Sequence, residues 1–250
     1  MNPLAGTTRF LAERTQGAGY VGDLLVRTAM CAPRLPRRLR FLLDNSFNAG
    51  VRALPVTLVV AAFAGAILAM QTGIELRRFG NTNVLGTITA LSMCREMGPF
   101  ITAVILAATV GSSIAAELGT MKVSDEIDAL EVMSIDPVDY LVLPRVVALA
   151  LMCPLLTVLS NLIGIYGGSV IAEQNLGVSP DLYWVGAVES LTSSGTLLPK
   201  EVYVGLLKSF IFGTAIATVS CAAGLKANGG ALGVGLAVQT AVRNSVLLII

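Results

Sequence analysis

The stretch VVALALMCPLLTVLSNLIGIYGGSVIA, residues 146–172, decides the fold class of this 250-residue chain. It contains no charged residue and is longer than the roughly 20 apolar residues that a helix needs to cross the hydrocarbon core of a bilayer. Inside a bilayer a helix satisfies all its backbone hydrogen bonds within one segment. The stretch therefore predicts a membrane-spanning α-helix.

Other apolar runs extend this interpretation to most of the chain. Their ranges are 55–74, 84–116, 202–225 and 236–250. The last run begins near Leu236 and is still apolar at Ile250, so we expect a final span cut short at the C-terminus. The fold class we predict is all-α, a polytopic membrane protein with about five transmembrane helices.

Composition agrees with a membrane protein and excludes several functions. Hydrophobic residues make up 54% of the chain and charged residues only 13%, about half the usual share for soluble domains, and mean hydropathy is +0.77. A net charge of +1 gives no basic surface for nucleic acid. Without histidine, and with four scattered cysteines, the chain offers no metal site or disulfide framework, and no metal is expected.

Residues 1–52 differ from the rest of the chain and form a basic N-terminal segment preceding a membrane domain at 53–250. The segment holds eight of the seventeen basic residues, and apolar residues between Phe10 and Met30 recur at mixed helical spacing. This pattern is typical of an amphipathic helix lying on the membrane surface. With five spans, the positive-inside rule predicts a cytoplasmic N-terminus and an external C-terminus.

The segment 117–145, between the second and third spans, contains seven of the sixteen acidic residues. Ser124 is a candidate N-cap, and Asp136-Pro137 a candidate terminator, of a helix of about ten residues. The segment is either a solvated cytoplasmic loop or a helix that docks in a groove of a cytoplasmic partner. Complementary basic residues on a partner would explain the acids better.

Two further features lie within the apolar runs. Arg95 and Glu96 carry charge at membrane depth, where it normally faces a cavity or a partner; the alternative is snorkelling to the outer interface beside Gly98-Pro99. Small residues recur at spacing four, which is typical of close helix packing and less often of a substrate groove. The packing candidates are Gly111, Ala115, Gly164 and Gly168.

Two long motifs resemble one known family. Residues 95–145 read REMGPFITAVILAATVGSSIAAELGTMKVSDEIDALEVMSIDPVDYLVLPR, and residues 228–246 read NGGALGVGLAVQTAVRNSV. Both runs closely resemble the signatures of the MlaE/YrbE permeases, the membrane subunits of ABC-type systems that work with MCE-domain proteins. The resemblance extends from about Phe41 onward. In place of the family's usual Gly-Arg the chain has Thr109-Val110, so any role of that arginine does not carry over.

The resemblance implies a homodimeric permease of the bacterial inner membrane that moves phospholipids or related lipids between membranes. Its expected partners are a second copy, a cytoplasmic ABC ATPase dimer, a ring of MCE-domain subunits and the lipid; the sequence does not decide whether a small cytoplasmic accessory subunit joins them. ATP and Mg²⁺ would be bound by the ATPase, because this chain has no Walker A motif and no cofactor of its own.

The resemblance also assigns residues. The acidic segment corresponds to the coupling helix seated on the ATPase, and the family positions near Arg95 line the lipid cavity. The coupling candidates are Glu117, Lys122, Ser124, Asp125, Glu126, Asp128, Leu130, Glu131, Met133, Asp136 and Pro137. The cavity candidates are Ile67, Met70, Gln71, Arg95 and Glu96.

Two alternative functions compete with an ATP-driven permease. An ion-coupled secondary transporter needs titratable groups at the bilayer midplane and usually internal repeats; only Arg95 and Glu96 qualify, and no repeat is evident. An intramembrane enzyme lacks histidine, clustered carboxylates within a span and a nucleophile motif. We therefore expect a non-catalytic subunit.

Overall fold

The computed structural model describes residues 19–31, 39–192 and 200–250, and the regular structure in these ranges is entirely helical. The predicted all-α fold is confirmed. Of the predicted surface helix, residues 10–18 lie outside the described residues, and 19–31 form α1. The remaining α-helices are α2 (Leu39–Val51), α3 (Leu54–Arg78), α4 (Leu85–Ser92), α5 (Gly98–Leu106), α6 (Ser112–Val123), α7 (Glu126–Val132), α8 (Leu143–Leu176), α9 (Pro180–Thr192), α10 (Lys200–Leu225) and α11 (Gly230–Ile249).

Among the described residues, five helical runs are long and apolar enough to cross a membrane, as predicted. They cover Arg40–Arg78, Thr82–Val123, Val138–Leu176, Lys200–Leu225 and Gly230–Ile249. The last run begins earlier than predicted. It starts at Gly230 rather than near Leu236 and contains 20 residues, because Gly233 and Gly235, after the left-handed Gly229 and Gly230, are helical instead of forming a loop.

The second span is a broken helix of 42 residues. A short 3₁₀ turn precedes α4, and π-helical turns at Met93–Met97 and Ala107–Gly111 separate α4, α5 and α6. The first π turn lies directly before Gly98-Pro99, where proline cannot supply the amide hydrogen that a regular α-helix requires. π turns inside helices frequently mark functional sites.

The helix α8 is the centre of the bundle, and α3 lies along it. The buried stripe of α3 repeats every four residues and consists of Thr57, Ala61, Gly65, Ala69 and Gly73. A Cβ atom on Gly65 would collide with the backbone carbonyl of Gly164, so glycine is required for this approach. The two helices are therefore held by backbone-to-backbone contact, as small-residue faces in membranes allow.

The structure adds a helix that sequence reasoning missed, α9, on the segment joining the third and fourth spans. It packs against α4, and the buried Tyr183 hydroxyl donates to the Ile165 carbonyl at 3.1 Å. A start signal is present in the sequence, because Ser179 followed by Pro180 is a typical N-cap and first helical residue.

At the opposite end of the bundle, α1 and α7 share one core with the inner ends of the spans. Leu24 of α1 and Ile127 of α7 are both buried in this core. The Nζ atom of Lys226, in the turn before α11, lies 4.0 Å from the ring centre of Tyr20. If the N-terminus is cytoplasmic, as the positive-inside rule predicts, this end would face the cytoplasm.

Candidate functional site

The acidic segment folds into a short projecting loop around α7, and its helix is shorter than predicted. Ser124 ends α6 instead of capping α7, and Asp125 follows in the left-handed conformation with φ 57°. The α7 helix contains 7 residues rather than about ten. The α7 helix is short because α6 continues to Val123, so the chain must reverse direction within Ser124 and Asp125.

The end of α7 also lies earlier than the expected Asp136-Pro137 stop. Ser134 takes a left-handed conformation, and its N–H donates to the Glu131 carbonyl at 2.9 Å while Ile135 N–H donates to Leu130 at 3.0 Å. This pair of bonds is a Schellman ending. Asp136 instead starts the next helical turn, because its Oδ1 accepts the Val138 N–H at 2.9 Å.

The α7 loop presents two kinds of surface. Ile127 is buried in the core and Leu130 is partly buried against it, so these two side chains anchor the helix. At its tip, Val132 and Met133 are 86% and 61% exposed. The exposed acids around this apolar tip are Asp125, Glu126, Asp128 and Glu131. Exposed apolar side chains with a charged rim are typical of a protein-binding surface.

Two ion pairs hold the loop on the bundle. Lys122 Nζ, at the end of α6, lies 2.6 Å from Asp128 Oδ1. Glu117 Oε1 lies 2.8 Å from an Arg145 terminal nitrogen, which joins the two ends of the segment 117–145. Glu117 therefore lies at the base of the loop, away from the α7 tip, although it was assigned to the same coupling set.

Sequence reasoning did not assign Arg145 a role, and it is the largest fully buried side chain of the described residues. Its second terminal nitrogen donates to the Leu141 carbonyl at 2.8 Å, and its guanidinium lies 5.5 Å from the ring centre of Phe41. The sequence did contain an indication of its importance, because Arg145 follows a proline and directly precedes the uncharged run 146–172.

A second charged cluster lies near the outer ends of the second and fourth spans. Lys208 Nζ contacts Glu96 Oε1 at 2.6 Å, and Arg95 lies 3.6 Å from both Glu96 and Glu201. Arg95 and Glu96 thus contact Glu201 and Lys208 of α10 as well as each other. Lys208 and Glu201 were missed as partners; a lone lysine within an apolar run was the signal for one of them.

The other three cavity candidates lie on α3. Ile67 and Gln71 are exposed and lie on the side of α3 away from its buried stripe, so they face outward in a single copy. Met70 is half-buried, and its sulfur lies 3.9 Å from Asn175 Nδ2. The structure thus brings Arg95 and Glu96 into one cluster and leaves Ile67 and Gln71 on an open helix face.

The four packing candidates all lie at helix contacts. A Cβ on Gly111 would approach Ser220 Oγ to 2.9 Å, and one on Gly168 would approach the Tyr183 hydroxyl to 2.6 Å. Gly164 lies against Met93 and the Ala61 carbonyl. Ala115 is completely buried, and its backbone lies against Gly224 of α10.

The last span carries one further charge. Arg243, which lies within the predicted run 236–250, is in the second half of α11. Its side chain and that of Gln239, one turn earlier, are exposed on the face of α11 that does not pack on α6 and α10. Within the described ranges no group of three or more potential metal ligands is present.

These features define a class: a polytopic helical membrane protein with an acidic helix projecting between two spans, as in the permease subunits of ABC transporters. The family model "Permease MlaE" matches residues 42–250. The chain belongs to the MlaE permease family.

Named relatives agree with this assignment. A probable ABC transporter permease protein of Synechocystis sp. is 39% identical over 210 residues, covering 84% of this chain and 78% of the relative. A protein of the same description from Rickettsia prowazekii is 37% identical, with 86% and 81% covered. Protein TRIGALACTOSYLDIACYLGLYCEROL 1, chloroplastic, of Arabidopsis thaliana is 35% identical, with 81% and 56% covered.

Proposed function

We propose that this protein is the membrane subunit of an ATP-driven transporter that moves phospholipids or related lipids between membranes. The observation that carries the proposal is the α7 loop, which presents the exposed side chains of Val132 and Met133 together with four exposed carboxylates. In this proposal α7 seats on a separate cytoplasmic ABC ATPase, which binds the ATP. The plant relative bears the name of a galactolipid, which supports a lipid as cargo.

The bracing of the loop supports a mechanical role. Closure of the ATPase would bias the permease between two conformations, and this requires a rigid connection between the docking surface and the spans. The Glu117–Arg145 and Lys122–Asp128 pairs supply that connection. Movement of α7 would therefore be transmitted to α6 and α8 rather than absorbed by a flexible loop.

Several features of the outer half of the bundle are those expected of a lipid cavity shared by two copies. An arginine facing hydrocarbon costs about 2.5–3.5 kcal/mol on insertion scales. Arg243 and Gln239 lie on an open face of α11, so a second copy would cover them and form a homodimer. Arg95 and Glu96, with Lys208, would then contact lipid headgroups, and Ile67, Met70 and Gln71 would line the cavity. MCE-domain subunits would receive the lipid at the outer face.

The docking proposal is tested by co-purification from native membranes. The variant Glu126→Lys/Glu131→Lys reverses two exposed acids of α7 and leaves the Lys122–Asp128 pair intact. We expect it to lose the ATPase and to keep any MCE-domain subunit, because only the cytoplasmic surface changes. The matched control, Glu173→Lys/Glu189→Lys, reverses two exposed acids at the other end of the bundle and should keep the ATPase.

Transport in reconstituted vesicles tests the energy source. We expect lipid movement to require ATP and the ATPase, and to fail in the α7 variant. Lipid or solute movement that follows a proton gradient without any ATPase would contradict the proposal and support the ion-coupled transporter instead.

A further inference from the structure

A cavity of about 750 Å³ lies between α2, α6 and α8, near the cytoplasmic end of the bundle. Its volume is in the range of small-molecule sites, about 300–1,000 Å³. It is distinct from the Arg95–Glu96 cluster, because neither residue lines it. Its polar walls include Asn45 and Asn48 from α2, Arg52 from the turn after α2, Glu117 from α6 and Arg145 from α8.

The α2 helix presents its polar side chains to this cavity. Asn45 and Asn48 are spaced by three residues and so share one face of the helix, and Arg52, in the turn that follows, lines the same cavity. Leu43 and Phe47, on another face, are exposed. In a membrane protein, polar side chains within an apolar run face a cavity, water or a partner. The arrangement is therefore that of a helix with its apolar face toward lipid and its polar face toward a site.

Among the described residues that line the cavity, one cation is not paired with a carboxylate. Arg145 is compensated by the carboxylate of Glu117 and by the Leu141 carbonyl, so its charge is already used by the protein. Arg52 is exposed at the cavity wall and supplies the net positive charge. The buried Nε of Arg145 has no hydrogen-bond partner among the described residues. A ligand with acceptor oxygens and negative charge fits these donors.

The position of the cavity indicates which anion reaches it. The α2 helix runs beside the first turns of α8, with Phe41 next to Arg145 and Gly50 against Met152. These turns lie at the same end as α1 and α7, where the predicted orientation places the cytoplasmic leaflet. The cavity is thus at the level of that leaflet's headgroups, whose phosphates are the most abundant anions there.

We propose that this cavity binds the headgroup of a phospholipid from the cytoplasmic leaflet, with the phosphate against Arg52 and the Asn48 amide. The inference rests on the proposed function for the lipid class of ligand. It concerns equilibrium binding at a second site, which can be measured without ATP, ATPase or transport. Failure of this site and failure of lipid transport are therefore separate results.

The test is native mass spectrometry of the detergent-purified full chain titrated with phosphatidylglycerol. Arg52→Gln should weaken the binding of one lipid per chain by about tenfold, the usual effect of losing one charge-assisted hydrogen bond. The matched control, Arg40→Gln, removes an exposed arginine at the start of α2 that does not line the cavity and should bind as the wild type does.

Two further probes distinguish the sources of the phosphate. Diacylglycerol, which lacks a phosphate, should not bind at this site. If inorganic phosphate displaces the lipid at millimolar concentration, the cavity recognises a free anion and the lipid proposal is overturned. Equal lipid binding by wild type and Arg52→Gln overturns it as well.

A photo-crosslinking residue at Ser113, in the cavity wall, supplies a measurement that does not depend on removing a charge. We expect a lipid adduct on Ser113 in native membranes, and its loss when Arg52→Gln is added. A covalent dimer through Ser113 would show that a second copy fills the cavity, which overturns the proposal.

Discussion

The two ends of this molecule each carry an ion pair between helices, but in opposite surroundings. At the inner end, Arg145 is 1% exposed and Glu117 is 57% exposed. At the outer end, Lys208 and Glu96 are 36% and 56% exposed. A buried charge loses its hydration and depends on its partner, whereas an exposed pair contributes little to stability. The Glu117–Arg145 pair therefore stabilises the fold, whereas the Glu96–Lys208 pair is available for ligands.

The strongest test of this comparison is Arg145→Gln. The change leaves the Leu141 carbonyl without its donor and removes the contact of the guanidinium with the Phe41 ring. We expect it to lower the free energy of unfolding by roughly 2 kcal/mol, because it removes a buried, charge-assisted hydrogen bond. Thermal unfolding in detergent measures the loss. Arg78→Gln, which removes an exposed pair with Glu75, should unfold like the wild type.

The outer pair should behave in the opposite way. Lys208→Met is expected to lower the free energy of unfolding by less than Arg145→Gln does, because neither partner of the outer pair is buried. Lipid transport should nevertheless fall several-fold, since Glu96 loses its nearest cation. Transport by reconstituted vesicles, measured beside a melting curve, separates the two effects. A large loss of stability with unchanged transport would mean that the outer pair stabilises the fold and does not contact ligands.

The smallest effect is expected at the pair that braces α7. Lys122→Met removes the contact with Asp128 but leaves the acidic surface and the Ile127 anchor in place. The affinity for the ATPase should fall by about two- to threefold, corresponding to an exposed pair of less than 1 kcal/mol. Titration of the ATPase onto the reconstituted permease measures this change. No change in affinity would mean that the buried contacts of Ile127 and Leu130 position α7 without help from the ion pair.

The elements that sequence reasoning predicted well are those with a local physical signal. Apolar runs of sufficient length identified all five spans, and the acidic segment identified the α7 loop. Local signals failed where the same amino-acid composition is compatible with either a loop or a helix. The glycine-rich residues after Asn228 lie outside the predicted run 236–250 but form the first turns of α11, so the last span begins earlier than predicted.

The limits of α7 were misjudged for a related reason. Ser124 and Asp136 are both good capping residues, but a capping residue serves the end of one helix or the start of the next. Ser124 ends α6, and Asp136 starts the turn that leads into α8. Which role each plays depends on how far α6 continues, and the sequence around the cap does not decide that.

The sequence by itself determined the class of protein, the number of spans and the family, because hydropathy and long motifs are properties of contiguous residues. Only the tertiary structure decided which charges meet. Glu96 with Lys208, and Glu117 with Arg145, are separated by long stretches of chain and come together only when spans pack. The cavity beside α2 was likewise invisible in the sequence, because its walls come from three helices whose contact depends on packing rather than on local composition.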